Sequence, residues 1–222
     1  MIVSIGGIKG GVGKSTIATN LAVMAARNGG DVLLIDTDPQ ESARDFVSAR
    51  IERLGDAGLS CVSVTGPTVR QEALRARDKY THIFIDCAAR ESDAQRAAWM
   101  VSDVVVIPTA PSVYDVWTIG KTAAFFEADF AYGAHHIGVA LVNQAEPRGQ
   151  DNDAAADCLR DGPWEVAGHV VRRKVYRNAA ALGLGVVEMK PEDKKATSEI
   201  TSLFSTVEDA AKRAINEKGV AA

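Results

Sequence analysis

Five runs of apolar and β-branched residues, at positions 2–5, 32–35, 83–85, 104–107 and 137–142, recur between longer amphipathic stretches. Apart from Ser4 and Gly138 each run is apolar rather than alternating, which predicts parallel strands covered on both faces. The intervening stretches 14–28, 40–54, 92–100 and 113–130 have helical length, and Gly29-Gly30 supplies residues that readily end a helix in the left-handed conformation. This alternation predicts an α/β fold, with a single-domain doubly wound, mainly parallel sheet flanked by helices. A further apolar stripe, Ile200, Leu203, Phe204, Val207, Ala211, Ala214 and Ile215, recurs at helical spacing. Its acidic neighbours Glu199, Glu208, Asp209 and Glu217 favour a helix packed on the domain over a membrane anchor.

Three strands end on polar residues: Asp36 after Val-Leu-Leu-Ile, Asp86 after Ile-Phe-Ile, and Asn143 after Ala-Leu-Val. In open α/β sheets the ligand crevice lies at the carboxyl ends of the strands, so these three are expected to converge there.

Composition narrows the setting. A chain of 222 residues accommodates one substantial core, and order is expected up to the last few residues. Cys61, Cys87 and Cys158 are widely separated and form no C-x-x-C pair, which fits a reducing cytoplasm and argues against cluster transfer. No signal-peptide pattern opens the sequence, and no apolar run reaches membrane-spanning length, so a soluble protein is expected. A net charge of −4 excludes a wholly basic nucleic-acid binder while leaving room for a local basic patch. His135-His136 lack metal-ligand partners, and Trp99, Trp117 and Trp164 read as core or interface residues.

The chemistry concentrates in Gly6-Gly7-Ile8-Lys9-Gly10-Gly11-Val12-Gly13-Lys14-Ser15-Thr16, between the first strand and the first helix. Glycines let backbone N–H groups approach phosphate oxygens, and the following helix N-terminus favours negative charge. Lys14 supplies a point charge to the β and γ phosphates, and the Ser15 hydroxyl is a Mg²⁺ ligand. The ordinary phosphate-loop pattern fails at Ile8, where glycine is wanted. The dinucleotide pattern fails at Thr16, where its third glycine belongs, which disfavours nicotinamide and flavin cofactors.

What remains, Lys-Gly-Gly-Val-Gly-Lys-Ser-Thr at 9–16, resembles the deviant Walker A motif of the ParA/MinD family of P-loop ATPases. The resemblance implies ATP and Mg²⁺, with nucleotide contacts from Lys9, Gly10, Gly11, Val12, Gly13, Lys14, Ser15 and Thr16. It also implies that Lys9 reaches across a dimer interface to the partner's nucleotide. A lysine acting in trans cancels phosphate repulsion only when two nucleotide sites face each other, which would link ATP to dimerisation.

Asp36-Thr37-Asp38-Pro39-Gln40 places two carboxylates on one loop, one able to face a metal's water and the other an attacking water. Read structurally, Asp38 is a helix N-cap and Asp36 a strand-end residue. The segment resembles the family's D-x-D-P-Q switch, which implies that Asp38 orients the hydrolytic water and Asp36 supports the metal. Asp86 closes an apolar strand in the manner of a Walker B aspartate that holds Mg²⁺ through water. Family members usually continue Asp-x-Pro-Pro, whereas this chain has Asp86-Cys87-Ala88-Ala89, which leaves the course of this loop open. Asp115, beyond Pro108 and Pro111, reads either as an interface residue by resemblance or as a first-turn helix carboxylate. Asn143 resembles the family asparagine that reads adenine, and its amide both donates and accepts as that edge requires.

In length the chain looks most like small ParF-type plasmid partition ATPases. Arg172, Arg173, Lys174 and Arg177, with Lys194 and Lys195, make the last third locally basic, which fits nonspecific, salt-dependent DNA binding, a solvated face, or contact with nucleotide. The resemblance thus implies an ATP-dependent homodimer that is nucleoid-associated when ATP-bound and meets a centromere- or cargo-binding adaptor, with no membrane partner. The competing readings are a MinD-like regulator of division-site placement and a nucleotide-gated structural assembly protein.

Overall fold

The computed structural model describes residues 1–148 and 150–220; the residues where disorder is expected lie beyond this range. In chain order the elements are β1 (Ile2–Ile5), α1 (Lys14–Arg27), β2 (Val32–Asp36), α2 (Ser42–Leu54), β3 (Ser60–Ser63), α3 (Val69–Ala76), β4 (His82–Asp86), α4 (Asp93–Val101) and β5 (Val104–Thr109). There follow α5 (Val113–Val116), α6 (Ile119–Phe130), β6 (Ile137–Ala145), α7 (Asp151–Arg160), β7 (Glu165–Val171), α8 (Lys174–Ala180) and α9 (Lys194–Val220). The strands form one seven-stranded sheet in the order β3-β2-β4-β1-β5-β6-β7. Every neighbouring pair among the described residues runs parallel.

Alternation along each strand divides the core into two layers. Val3, Ile5, Leu34, Phe84, Val104 and Val106 point to the face covered by α1, α2, α8 and α9. Ile2, Leu33, Ile35, Ile83, Ile85, Val105 and Ile107 point to the face covered by α3, α4, α6 and α7. The apolar stripe of α9 enters the first layer, with Ile200, Leu203, Phe204, Val207, Ala211 and Ala214 at most 3% exposed. Ile215 stays 44% exposed and is the member of the stripe that lies outside the core.

The five predicted strands are the central ones, buried along nearly all of their length. Edge strands β3 and β7 escaped the pattern because they carry exposed polar positions, and their burial differs from the continuous burial of β1 and β2. Helices α3 and α7 were missed for a related reason: each buries only two or three side chains and exposes the rest. The helix expected over 113–130 is two, because the chain turns at Trp117 and Thr118 between α5 and α6. The helix expected from 40 begins at Ser42, which leaves the preceding polar residues in a loop above the sheet.

Burial carries one consequence for acid stability. His136 is 4% exposed, packs edge-on to Phe126 at 4.6 Å, and among the described residues has no hydrogen-bond partner of good geometry at either ring nitrogen. Loss of hydration, with Lys218 and His135 adding repulsion, lowers its pKa from 6.5 to about 4. The unfolded chain therefore binds this proton more tightly, so stability present above pH 6.5 is lost as the pH falls towards 4. Chemical denaturation should show the native chain losing roughly 3 kcal/mol more than His136→Leu across that interval. Parallel pH curves for the two proteins would refute this assignment.

Candidate nucleotide site

The carboxyl ends of β1, β4 and β5 lie side by side at the centre of the sheet, where β1 leads away to one side and β5 to the other. Such a reversal of strand order opens a crevice, and the glycine loop fills it. Gly11 and Gly13 have φ of 78° and 88°, in the left-handed region that favours glycine. Gly13 is doubly constrained, since a Cβ there would lie 2.4 Å from Nδ2 of Asn143. Gly6 is needed for closeness instead: its Cβ would lie 2.4 Å from the indole nitrogen of the buried Trp99. No side chain caps α1, so the N–H groups of its first turn remain directed at the loop's concavity.

Lys14 is 7% exposed, and its ammonium donates to the carbonyl of Lys9 at 2.8 Å. Burial pushes its pKa down, opposed chiefly by the nearby Asp86. Asp86 lies opposite both Ile5 and Asp36 in the strand register. It is 1% exposed, and among the described residues neither carboxylate oxygen has a hydrogen-bond partner of good geometry. Burial pushes its pKa up to about 7, against the opposing effects of Ser15 and Lys14. Two orphaned buried oxygens beside a hydroxyl and a phosphate loop are what a hydrated divalent cation would satisfy, so Ser15 and Asp86 fit Mg²⁺. Among the described residues no group of three or more His, Cys, Asp or Glu side chains gathers as a self-sufficient metal site. A cation here would need phosphate oxygens to complete its shell.

Both carboxylate oxygens of Asp36 are engaged by backbone N–H groups. One carboxylate oxygen accepts the Asp38 N–H at 3.0 Å, and the other accepts those of Ala43 and Arg44 at 2.9 and 3.1 Å. It thus anchors the loop and the start of α2, the capping role expected of Asp38. Asp38 is half-buried, and its Oδ1 accepts only the Gln40 N–H at 2.9 Å, the short-range bond of a turn.

Asp115 occupies the helix-first-turn setting, in the opening turn of α5. Its N–H donates to the Ser112 hydroxyl at 3.2 Å, which caps α5, while that hydroxyl donates to Oδ2. Its Oδ1 lies 4.0 Å from the Lys9 ammonium, so the lysine expected to act across a dimer here rests against its own subunit.

A cavity of about 470 Å³ opens beside Gly13 and Thr16, bounded by Asn143, Gln144, Tyr176 and Arg177 among others. Asn143 reaches it, with one amide hydrogen committed to the Val12 carbonyl at 2.6 Å. Its second N–H and its oxygen remain for a ligand. Gln144, absent from the expected site, donates to the Gly11 carbonyl at 2.7 Å and adopts a positive φ of 57°. Its position beside Asn143 was the only clue in the sequence.

The basic cluster splits. Arg172, Arg173, Lys174 and Arg177 line the nucleotide-sized cavity, whereas Lys194 and Lys195 are exposed at the start of α9. Arg173 is a correction to the expected open patch: its guanidinium bonds Glu199 at 2.6 Å and is largely covered. Arg172 lies 3.8 Å from Glu146 and stays exposed.

A parallel sheet with a glycine loop at its switch point and an acid at the end of the neighbouring strand defines a P-loop nucleotide-binding protein. The chain belongs to the CobQ/CobB/MinD/ParA nucleotide binding domain family, whose model matches residues 3–186. It is 27% identical over 206 residues to the maintenance of carboxysome distribution protein A of Halothiobacillus neapolitanus, covering 92% of this chain and 94% of that protein. Its fold matches an ATP complex of McdA from Cyanothece with a TM-score of 0.77 at 14% identity, over 94% of this chain and 95% of that one. It also matches the septum site-determining protein MinD of Pyrococcus horikoshii, complexed with Mg-ADP, with a TM-score of 0.74 at 21% identity, over 96% and 98% of the two chains.

Proposed function

We propose that this protein is a positioning ATPase that hydrolyses ATP to ADP and phosphate, dimerises on ATP, and carries cargo over a DNA surface. The supporting observation is the pairing of the glycine loop and buried Lys14 with the orphaned oxygens of Asp86. The loop's N–H groups and Lys14 hold the phosphates, and the side pocket bounded by Asn143 takes the base. Asp38 positions the attacking water, and Asp36 holds the Asp38 loop in place. Mg²⁺, carried by Ser15 and Asp86, would offset charge on the β and γ phosphates.

Dimerisation is supported by an unusual surface beside Lys9. Tyr114 and Trp117 flank Asp115, are 70% and 69% exposed, and stack edge to face at 5.5 Å. Apolar area of this kind favours burial against another protein surface. ATP brings two sites face to face, Lys9 exchanges Asp115 for the partner's phosphates, and hydrolysis removes that attraction. Exposed Lys194, Lys195, Arg172, Lys174 and Arg177 supply nonspecific DNA contacts. An adaptor protein that carries the cargo stimulates hydrolysis. Similarity along nearly the full length to a carboxysome distribution protein supports a cargo such as a protein-shelled body, alongside a plasmid or chromosome. A cytoplasmic location, at the nucleoid when ATP is bound, follows from this reading. Among the described residues no helix is long and apolar enough to cross a membrane.

Size measurement with no nucleotide, ADP and ATP, with and without DNA, tests the scheme. ATP alone should double the mass, and only that form should bind DNA with strong salt dependence. Lys9→Gln should retain ATP within a few-fold yet stay monomeric; an ATP-dependent dimer of this variant would remove the trans role of Lys9. ATP-dependent sedimentation with liposomes in place of DNA binding would transfer the protein to division-site regulation.

A further inference from the structure

We propose that Thr37 is a positioning residue that locks the Asp38 loop to the segment following Asp86, so that the two move as one unit during ATP hydrolysis. The inference rests on the ATPase reading above and names a residue outside the sets assigned to nucleotide, metal and water. Thr37 is 4% exposed and sits between Asp36 and Asp38. Its backbone N–H and its hydroxyl each donate to the Asp86 carbonyl at 3.0 Å. The same hydroxyl accepts the Ala88 N–H at 3.1 Å. A single side chain thus bridges both sides of Cys87, a residue whose own N–H is fixed to Ile5 at 3.0 Å.

The last of these bonds depends on what this chain has in place of proline. An alanine at 88 carries an N–H, which a proline lacks. The departure after Asp86 therefore supplies the donor that closes the bridge.

Function follows from what lies at each end. The Asp86 side chain has two unpartnered buried oxygens and faces the metal position, whereas its carbonyl holds Thr37. Asp38, the next residue, is restrained on the other side by the Asp36 carboxylate. Any displacement of the Asp86 segment is therefore passed to Asp38 through a short, buried, fully bonded path. Shifting a water-positioning group by about 1 Å costs on the order of a hundredfold in rate.

The test compares Thr37→Val, which keeps shape and removes the hydroxyl, with Thr37→Ser, which keeps the hydroxyl. Turnover, affinity for ATP with Mg²⁺, and amide exchange at Ala88 are measured on the full chain. Thr37→Val should lose at least tenfold in kcat with affinity within about twofold of the native chain, and Ala88 should exchange faster. Thr37→Ser should restore both. Native turnover in Thr37→Val, or kcat and affinity falling together, overturns the proposal. If the native chain binds ATP but never hydrolyses it, the ATPase reading fails on its own. In that case unchanged exchange at Ala88 in Thr37→Val also overturns the bridge, whereas accelerated exchange supports it.

Discussion

Lys14→Ala is expected to lose about a hundredfold or more in ATP affinity, because a charge-assisted bond to phosphate contributes roughly 1.5–3 kcal/mol and the proposed nucleotide complex gives Lys14 two phosphates to reach. The fold should survive the change. Lys14 is buried at 7% exposure, with its charge disfavoured by loss of hydration, so the nucleotide-free protein gives up little by losing it. Its one hydrogen bond goes to the Lys9 carbonyl, within the loop itself. Titration calorimetry with ATP and Mg²⁺, beside a circular dichroism melt, separates the two effects. A variant that melts like the native chain and binds ATP equally well would end the assignment of this loop to phosphates.

Asp38→Ala should have the opposite profile, with ATP bound normally, dimer accumulating, and turnover reduced by about a hundredfold or more. The structure gives a reason for this separation of binding from chemistry. Asp38 makes one turn-forming bond to Gln40, while Asp36 secures the loop through three backbone N–H groups. Removing Asp38 therefore takes away the carboxylate proposed to direct water and leaves its platform standing. Phosphate release measured alongside light scattering reads both quantities. Retained turnover would place the water-positioning group elsewhere, and a monomeric variant would show that the loop itself had collapsed.

The contrast between Asp36 and Asp38 also marks the limit of reading a motif. Two carboxylates separated by one residue are visible in the sequence, but their division of labour is not, since it depends on which one faces the first turn of α2. The basic run at 172–177 has the same ambiguity. Its charge is evident from composition, whereas the capture of Arg173 by Glu199 joins residues 26 positions apart. Thr37 had no signal at all, because its partners lie at the end of a different strand and in the loop that follows it.

The sequence by itself determined the buried centre of the sheet, the phosphate loop and the family. Continuous apolar runs specify parallel strands, and glycines with an adjacent Lys-Ser-Thr form a contiguous motif whose backbone N–H groups suit phosphate. Only the tertiary structure decided the edge strands, the break between α5 and α6, the resting place of Lys9 against Asp115, and the lock between Thr37 and Ala88. Each of these is a contact between segments that compete with water or with one another for bonds, and such competition is resolved by packing rather than by local preference.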